Sequence, residues 1–416
     1  MAYSKSARTE DFFGNVPDIV IDKILERLPI HVAARTSVLS KQWRRSWLSL
    51  NSLVFDSEFW NQQRQKSKKV IWQKGSSIIS SILLHHNGPV YNFHLYMPAN
   101  SDGECMNHGQ WLCYLSKNNI RKIVIRNSYR CMKINSFIFW CNELEHLELD
   151  FFTLSPPPTG FSGYRNLKHL ELVNIIFSEE NVFCSLFANC TMLASLRLED
   201  WRGMSHMVID VPSLKTLILK GYLEGLAFRN VCNLESVSMS LDSGLMTDDI
   251  KDVVNILANS CKIQFIDFGG DMSEFLVAGG IKKPPVAFNY LNELCLSDLN
   301  FSEFGVSRYV LDMVDCCPNI KKLNIIVVEG GNLEQHELDY NYSIKLNHLL
   351  EVKIEGITGS SAELKLIEYL LAISVVLEKL FFTFEYLHRK SEVKLYRELM
   401  GFPRASTKAR LICLEK

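Results

Sequence analysis

From residue 90 onward the apolar positions of this chain fall into one recurring code. It is an apolar residue, two others, an apolar residue, one other, and a third apolar residue. The copies begin with Val90-Phe93-Leu95, Ile120-Ile123-Ile125, Leu144-Leu147-Leu149 and Leu167-Leu170-Leu172. They continue as Leu193-Leu196-Leu198, Leu214-Leu217-Leu219, Leu234-Val237-Met239 and Ile263-Ile266-Phe268. The last four are Leu291-Leu294-Leu296, Ile320-Leu323-Ile325, Leu349-Val352-Ile354 and Leu377-Leu380-Phe382. The second and third positions lie two residues apart, the period of a strand with one face buried. Between copies the period changes. In residues 246–260, Ile250, Val253, Val254 and Leu257 share one side of a helix whose first turn is acidic.

Counted from Ile120, the copies start 24, 23, 26, 21, 20, 29, 28, 29, 29 and 28 residues apart. A short strand recurring every 20 to 30 residues is the signature of a leucine-rich-repeat solenoid, an α/β fold with strands on the concave side. Ordinary α/β alternation also yields strands and helices in turn, but it does not repeat one three-position code eleven times from Ile120 onward. Most copies lack the asparagine that completes the commonest repeat signature. Alternation along a strand then places the residues between and after the apolar pair on the concave face. These include Lys122, Arg126, His146, Glu148, Asp150, His169, Glu171, Arg197, Glu199, Lys220, Asp267, Glu293, Lys322, Lys353 and Glu355. Aromatics directly after strands (Phe151, Phe152, Trp201, Tyr222) either rim a ligand or target pocket or fill the turn. The candidate target-binding set is His146, Glu148, Asp150, His169, Glu171, Arg197, Glu199, Trp201 and Tyr222.

Ahead of the repeats, residues 11–56 predict three short helices and a strand-like tail. The first begins at Pro17-Asp18 and carries Ile19, Val20, Ile24, Leu25 and Leu28 at helical spacing. Pro29 ends it, because the residue before a proline is pushed out of α geometry. A second holds Val32, Ala33, Thr36 and Leu39 on one side. Ser40 is the expected N-cap of a third, which sets Trp43 and Trp47 one turn apart. Three helices of this size carry more apolar surface than they can bury, which points to a partner or to the rest of the chain.

The wording of this head resembles the F-box, in its plant form. Val16-Pro17, Ile19-Val20, Ile24-Leu25, Leu28-Pro29-Ile30, Arg35-Thr36-Ser37, Leu39-Ser40-Lys41 and Trp43-Arg44 with Trp47 follow in the family's order. The resemblance implies docking on a Skp-type adaptor and through it a cullin. The implied adaptor-binding residues are Val16, Pro17, Ile19, Val20, Ile24, Leu25, Leu28, Pro29, Ile30, Leu39, Trp43 and Trp47, some of which hold the F-box together. The run from Glu351 to Leu414, with Phe402-Pro403-Arg404-Ala405-Ser406, looks like the FBD module that ends many plant F-box proteins. Physically it is a terminal repeat with a capping helix and strand. The expected organisation is therefore an F-box at 11–56, a linker and helix at 57–89, leucine-rich repeats at 90–345 and an FBD-like cap at 346–416.

Composition narrows the function classes. The 416 residues are 47% hydrophobic and 22% charged with a formal net charge of −1, which disfavours a general nucleic-acid binder. Charge is uneven: residues 1–75 carry 13 Lys/Arg and 7 Asp/Glu, so the head is +6 and suits an acidic partner. Twelve cysteines at irregular spacing do not form a disulfide framework, and Cys232, Cys261 and Cys295 are expected as buried small hydrophobes. No secretory leader or membrane-length apolar run is read, so the expected location is cytoplasm or nucleus.

Catalytic constellations are missing from the sequence. Cys105, His108 and Cys113 come nearest to metal-ligand spacing but lack a second half, so neither a metal nor a cofactor is expected. The reading is a non-catalytic substrate receptor of a ubiquitin ligase. The alternatives are a small-molecule (hormone) co-receptor of the same architecture, or a repeat scaffold acting outside a ligase.

Overall fold

The computed structural model describes residues 13–14, 16–62, 68–98, 107–128, 131–187, 189–243, 247–270, 287–301, 305–329, 345–385 and 389–414. Two compact units make up the chain, Met1–Leu193 and Ala194–Lys416.

The first unit opens with helices α1 (Asp18–Leu25), α2 (Ile30–Arg35) and α3 (Trp43–Ser46), with 3-10 turns at Thr36–Val38 and Trp47–Ser49. Pro17 (φ −58°, ψ 139°) and Pro29 (φ −53°, ψ 145°) are both extended residues that precede a helix. Their carbonyls accept the first helical N–H groups, from Val20 and Ile21 on Pro17 and from Val32 and Ala33 on Pro29. Two expectations are corrected here. Pro17 lies outside α1 rather than in its first turn, and Pro29 starts α2 instead of ending α1, which has already stopped at Leu25. Ser40 is not a cap either. Its hydroxyl donates to the Phe13 carbonyl at 3.4 Å, and α3 starts three residues later. In α2 the buried side chains are Ile30 and Ala33, while Leu39 is exposed, because the 3-10 turn at Thr36 changes the helical phase.

The tail of this head is the strand β1 (Ser52–Phe55), and Leu50, Leu53 and Phe55 are buried with the spacing of the repeat code. Helices α4 (Ser57–Gln62) and α5 (Lys68–His85) follow, within the stretch expected as linker and helix. Strand β2 (Asn92–Met97) pairs in parallel with β1, so the head and the repeats share a sheet. Trp60 locks this junction. Its ring lies 4.6 Å from that of Trp72, and its Nε1 donates to the Tyr96 carbonyl at 2.5 Å. Gly75 makes room for it: a Cβ there would fall 2.2 Å from the Trp60 ring.

The unit continues through α6 (His108–Ser116), β3 (Lys122–Asn127), β4 (Met132–Lys133), a 3-10 turn (Ser136–Trp140), β5 (His146–Asp150) and β6 (Phe152–Leu154). It ends with β7 (His169–Val173), β8 (Ile176–Phe177) and α7 (Val182–Phe187). Strands β1, β2, β3, β5 and β7 form a parallel sheet in that order, and the short β4, β6 and β8 form a second one. A left-handed residue turns the chain from one sheet to the other. Phe151 (φ 61°) and Asn174 (φ 52°) hold this corner after β5 and β7. The strand leucines 147, 149, 170 and 172 close an apolar interior against Ile138, Phe139, Leu154, Tyr164 and Leu186.

In the second unit the elements are β9 (Ser195–Glu199), β10 (His206–Asp210), β11 (Thr216–Leu223), β12 (Gly225–Arg229), β13 (Ser236–Ser243), α8 (Thr247–Ala258), β14 (Phe265–Gly269) and β15 (Glu293–Asn300). Next come α9 (Val306–Asp315), β16 (Lys322–Glu329), β17 (Glu351–Ile357), α10 (Ser361–Ile373), β18 (Lys379–Phe384), α11 (Arg389–Gly401) and β19 (Arg410–Cys413). The strands β9, β11, β13 and then β14 to β19 are parallel neighbours in that order, and β10 pairs with β12. Every first, second and third position of the repeat code from Val90 to Phe382 is buried. That pattern is why successive strands align in register: one slipped residue would turn each apolar pair to solvent.

Helix α10 starts at a capping box. Ser360 Oγ accepts the Glu363 N–H at 3.3 Å, and Glu363 accepts N–H groups from Ser360 (3.0 Å) and Gly359 (2.8 Å). Glu363 is buried, and burial pushes its carboxyl above the usual range against these hydrogen bonds. Farther on, Ser406 donates to the Leu377 carbonyl at 2.6 Å and fastens the chain after α11 to the turn before β18. Cys295 is buried as expected, but Cys232 and Cys261 are exposed, because both sit in turns outside the apolar positions of the code. Among the described residues no helix is long and apolar enough to cross a membrane, and no group of three ligands fits a metal ion. Cys105 lies outside the described residues.

Candidate functional site

Two surfaces stand out, one apolar and one charged. The apolar one is on the head. Ile21, Leu25, Ile30, Ala33, Trp43 and Leu50 are buried and form its core. Ile19 (70% exposed), Val20 (40%) and Ile24 (42%) occupy the opposite side of α1, and Val38 (87%) and Leu39 (38%) follow α2. Such residues gain nothing by facing water, and their clustering on a small helical element marks a contact surface. Hydrogen bonds hold the frame beneath it. Gln42 Nε2 donates to the Val16 carbonyl (2.8 Å) and to Asp18 Oδ1 (2.6 Å), and Trp43 Nε1 donates to the Phe13 carbonyl (3.0 Å).

The twelve residues expected on this surface divide by burial. Ile19, Val20, Ile24 and Leu39 are exposed apolar side chains, as is the ring of Pro17, while Val16, Leu28, Pro29 and Trp47 are half-buried. Leu25, Ile30 and Trp43 are buried and serve as the support of the head, not its contact face. Phe13 and Val38 belong to the exposed apolar set and were not among the twelve. The helical period that singles out Ile19 and Ile24 cannot reach Val38, which sits in a 3-10 turn.

The charged surface is, in each unit taken by itself, the polar face of its parallel sheet. In the first unit the register places Lys122, His146 and His169 side by side, then Val124, Glu148 and Glu171, then Arg126, Asp150 and Val173. The expected residues are thus brought together as rows across adjacent strands. Arg126 Nε donates to Glu148, a buried carboxylate, and this bond raises the guanidinium's affinity for its proton. Asp150 accepts from Asn174 Nδ2 at 2.9 Å, yet burial pushes its carboxyl upward. The rings of His146 and His169 lie 5.6 Å apart. Burial, with Lys122 and His169 beside it, brings His146 down to about 4, so its imidazole is neutral at pH 7. His94 is lowered by burial and by Arg126.

In the second unit Arg197 Nη2 bonds Glu199 at 3.1 Å, and Lys220 Nζ lies 3.9 Å from the same carboxylate. The aromatic rim expected around a pocket is not assembled. Phe152 and Trp201 are buried, the latter against Gly221, where a Cβ would lie 3.0 Å from the ring. Tyr222 is exposed, with its hydroxyl 3.3 Å from Glu224. Of these rings only Trp201 fills the turn after its strand; Phe152 begins β6 and Tyr222 lies within β11. Farther along, Ser238 and Ser297 donate to the two oxygens of Asp267 (2.8 and 2.9 Å). Ser240 and the Gly270 N–H donate to Asp298 (both 3.1 Å).

Comparisons with known proteins match two stretches of the chain to family profiles and most of its length to plant relatives. The F-box domain profile matches residues 13–55, and the profile described as "FBD-associated F-box protein At5g56370, LRR repeats" matches residues 108–268. The chain is 29% identical over 426 aligned residues to F-box/FBD/LRR-repeat protein At1g13570 of Arabidopsis thaliana, covering 97% of this chain and 99% of that protein. It is 24% identical to F-box/LRR-repeat protein 13 of the same plant, over 99% and 98% of the two chains. F-box/FBD/LRR-repeat protein At3g51530, also from Arabidopsis thaliana, is 27% identical over 51% of this chain, and the match spans only 45% of that relative.

Proposed function

The chain belongs to the plant F-box/FBD/leucine-rich-repeat proteins, and from that premise we propose that it is the substrate-recognition subunit of an SCF-type ubiquitin ligase. F-box domains generally bind Skp-type adaptors in such complexes. In this reading the exposed apolar face of the head docks on the adaptor, which joins the chain to a cullin, and the polar sheet face receives a protein target. The chain itself makes and breaks no bond. Its contribution is to hold the target near the ubiquitin-loaded enzyme, which converts an encounter in solution into a step within one complex.

The single observation that carries the reading is the split of the head into a buried core and an uncovered face of Ile19, Val20, Ile24, Val38 and Leu39. Candidate target contacts are His146, Glu148, Asp150, His169, Glu171, Arg197, Glu199 and Tyr222; Trp201 leaves that set because it is buried. The test is a pull-down of the full chain with a purified plant Skp-type adaptor. Ile19→Asp with Ile24→Asp should abolish capture while circular dichroism stays native, and Leu28→Ala with Pro29→Ala should weaken it. Capture unchanged by the aspartates would remove this face from the reading.

A further inference from the structure

The sheet of the second unit ends on an open edge. Strand β19 has one neighbour in it, β18. Arg410 and Leu414 donate their N–H groups toward that neighbour, to the Glu378 and Phe382 carbonyls at 2.9 Å. Leu411, one residue past Arg410, therefore turns its own N–H and C=O outward, where the sheet has no further strand. The interior is also unfinished here. Every third position of the repeat code from Leu95 to Phe382 is buried, but Cys413, which the register sets beside Phe382, is exposed. So is Tyr396 of α11, whose ring lies 6.0 Å from that of Phe382.

Charge alternates across the polar face up to this edge. The register aligns Glu293, Lys322, Glu351 and Lys379 on successive strands, then breaks the alternation by setting Arg410 beside Lys379. Lys379 has Glu351 on its other side, whereas the other side of Arg410 is the open edge. Two more cations gather there. Arg404 donates to the Ala409 carbonyl at 3.1 Å, immediately before the strand, and Lys408, the residue before Ala409, is exposed. Among the described residues Arg404, Lys408 and Arg410 pair with no carboxylate within 4.0 Å. Cations along an edge turn away a strand that brings another cation and favour one that brings an acid.

We propose that the open edge of β19 binds an extended segment of a partner protein by parallel strand addition. The segment carries an acidic residue beside Arg410, followed by an apolar residue, any residue and a second apolar residue. Strand addition draws its affinity from backbone hydrogen bonds and its selectivity from alternate side chains. In the register of the preceding strands, the acid and the residue two places on direct their N–H groups to the Ala409 and Leu411 carbonyls. The two apolar residues fall beside Leu411 and Cys413 and continue the interior. The acid stands against Arg410 and close to Arg404, which holds the same Ala409 carbonyl. This contact lies at the end of the sheet, apart from the candidate target contacts on its polar face, and it does not depend on the receptor reading.

The experiment uses the full chain and short fluorescein-labelled peptides, read by fluorescence anisotropy at low salt. The probe is Gly-Ser-Glu-Val-Thr-Val-Ser-Gly; one control has Gln in place of Glu, and another is the same sequence reversed. The probe should bind at least tenfold more tightly than either control. N-methylation of its Thr, whose N–H faces the Leu411 carbonyl, should abolish binding. N-methylation of the first Val, whose N–H points away from the edge, should change affinity less than about twofold. Lys408→Gln with Arg410→Gln should leave the Glu and Gln peptides equal in affinity, with circular dichroism native. Equal binding of probe and controls, equal losses from the two N-methylated peptides, or a double variant that keeps the preference for Glu overturns the proposal. The peptide comparisons need no variant, and adaptor capture plays no part in them, so their failure leaves the receptor reading standing.

Discussion

The head and the sheet solve opposite problems with the same kinds of residue. In the sheet, leucines at the second and third positions of each copy are almost wholly buried, and charged groups cover the other face. In the head, Ile19 and Ile24 sit on a helix of eight residues whose core is already filled by Ile21 and Leu25, and they remain in water. Identical side-chain chemistry thus stabilises the fold in one region and is left available in the other. The difference lies in what each element can cover: a strand paired on both sides delivers its apolar face to a shared interior, and a short helix on a three-helix head has no second layer to deliver it to.

The sharpest way to break the comparison is to truncate one residue of each kind. Leu172→Ala, fully buried beside Leu149 and Leu186, should cost about 2–5 kcal/mol by urea unfolding. Ile19→Ala should stay within about 0.5 kcal/mol, since the side chain is exposed. Equal costs would mean that the head's outer face is covered within the chain. Ile24→Asp tests the same face in the other currency: adaptor affinity should fall by about 2 kcal/mol, roughly thirtyfold, by calorimetry, with unfolding unchanged.

A smaller effect probes the corner that ends each strand. Asn174→Ala should cost about 1–2 kcal/mol. It loses the 2.9 Å bond to Asp150 and forces alanine into the left-handed region; Asn174→Gly should lose the bond alone. The smallest concerns pH. His146 is held near 4 in the fold against about 6.5 when unfolded, so as pH falls between these values the unfolded state takes up the proton first. Its contribution is whole above about pH 6.5 and is lost as pH falls toward 4. The ring is only half-buried, so solvent screening reduces the effect to about 1 kcal/mol. His146→Gln should therefore lose less stability than the native chain between pH 7 and 4.5 in parallel chemical melts.

Much of the sheet was legible because alternation is a strict rule once one face is buried. Glu148, Glu171 and Arg197 face outward for the same reason that Leu147, Leu170 and Leu196 face inward. What could not be read was local and short. Strands β4 and β8 are two residues long and carry no period. Leu50-Leu53-Phe55 obeys the repeat code, but its place within the head concealed that β1 is a strand of the sheet. Trp201 and Tyr222 stand alike after an apolar pair of the code, yet Trp201 follows β9 and is buried against Gly221, while β11 runs on through Tyr222 and leaves it outside. On the head, the helical spacing that picked out Ile19, Val20 and Ile24 passed over Ile21, which is the side chain that turns inward, because β-branched residues of similar hydrophobicity give no hint which of them is covered.

Because the final strand of the head is hydrogen-bonded to β2 and wedged by Trp60, fraying at the head exposes the edge of the sheet, and repair of one restores the other. By mass action, whatever occupies the head adds RT ln(1 + [L]/Kd) to the stability of the strands behind it. At a hundredfold excess over Kd that is about 2.7 kcal/mol. An unoccupied head would then leave the neighbouring strands more open to proteases and to hydrogen exchange, so the chain's lifetime would report its own state of assembly.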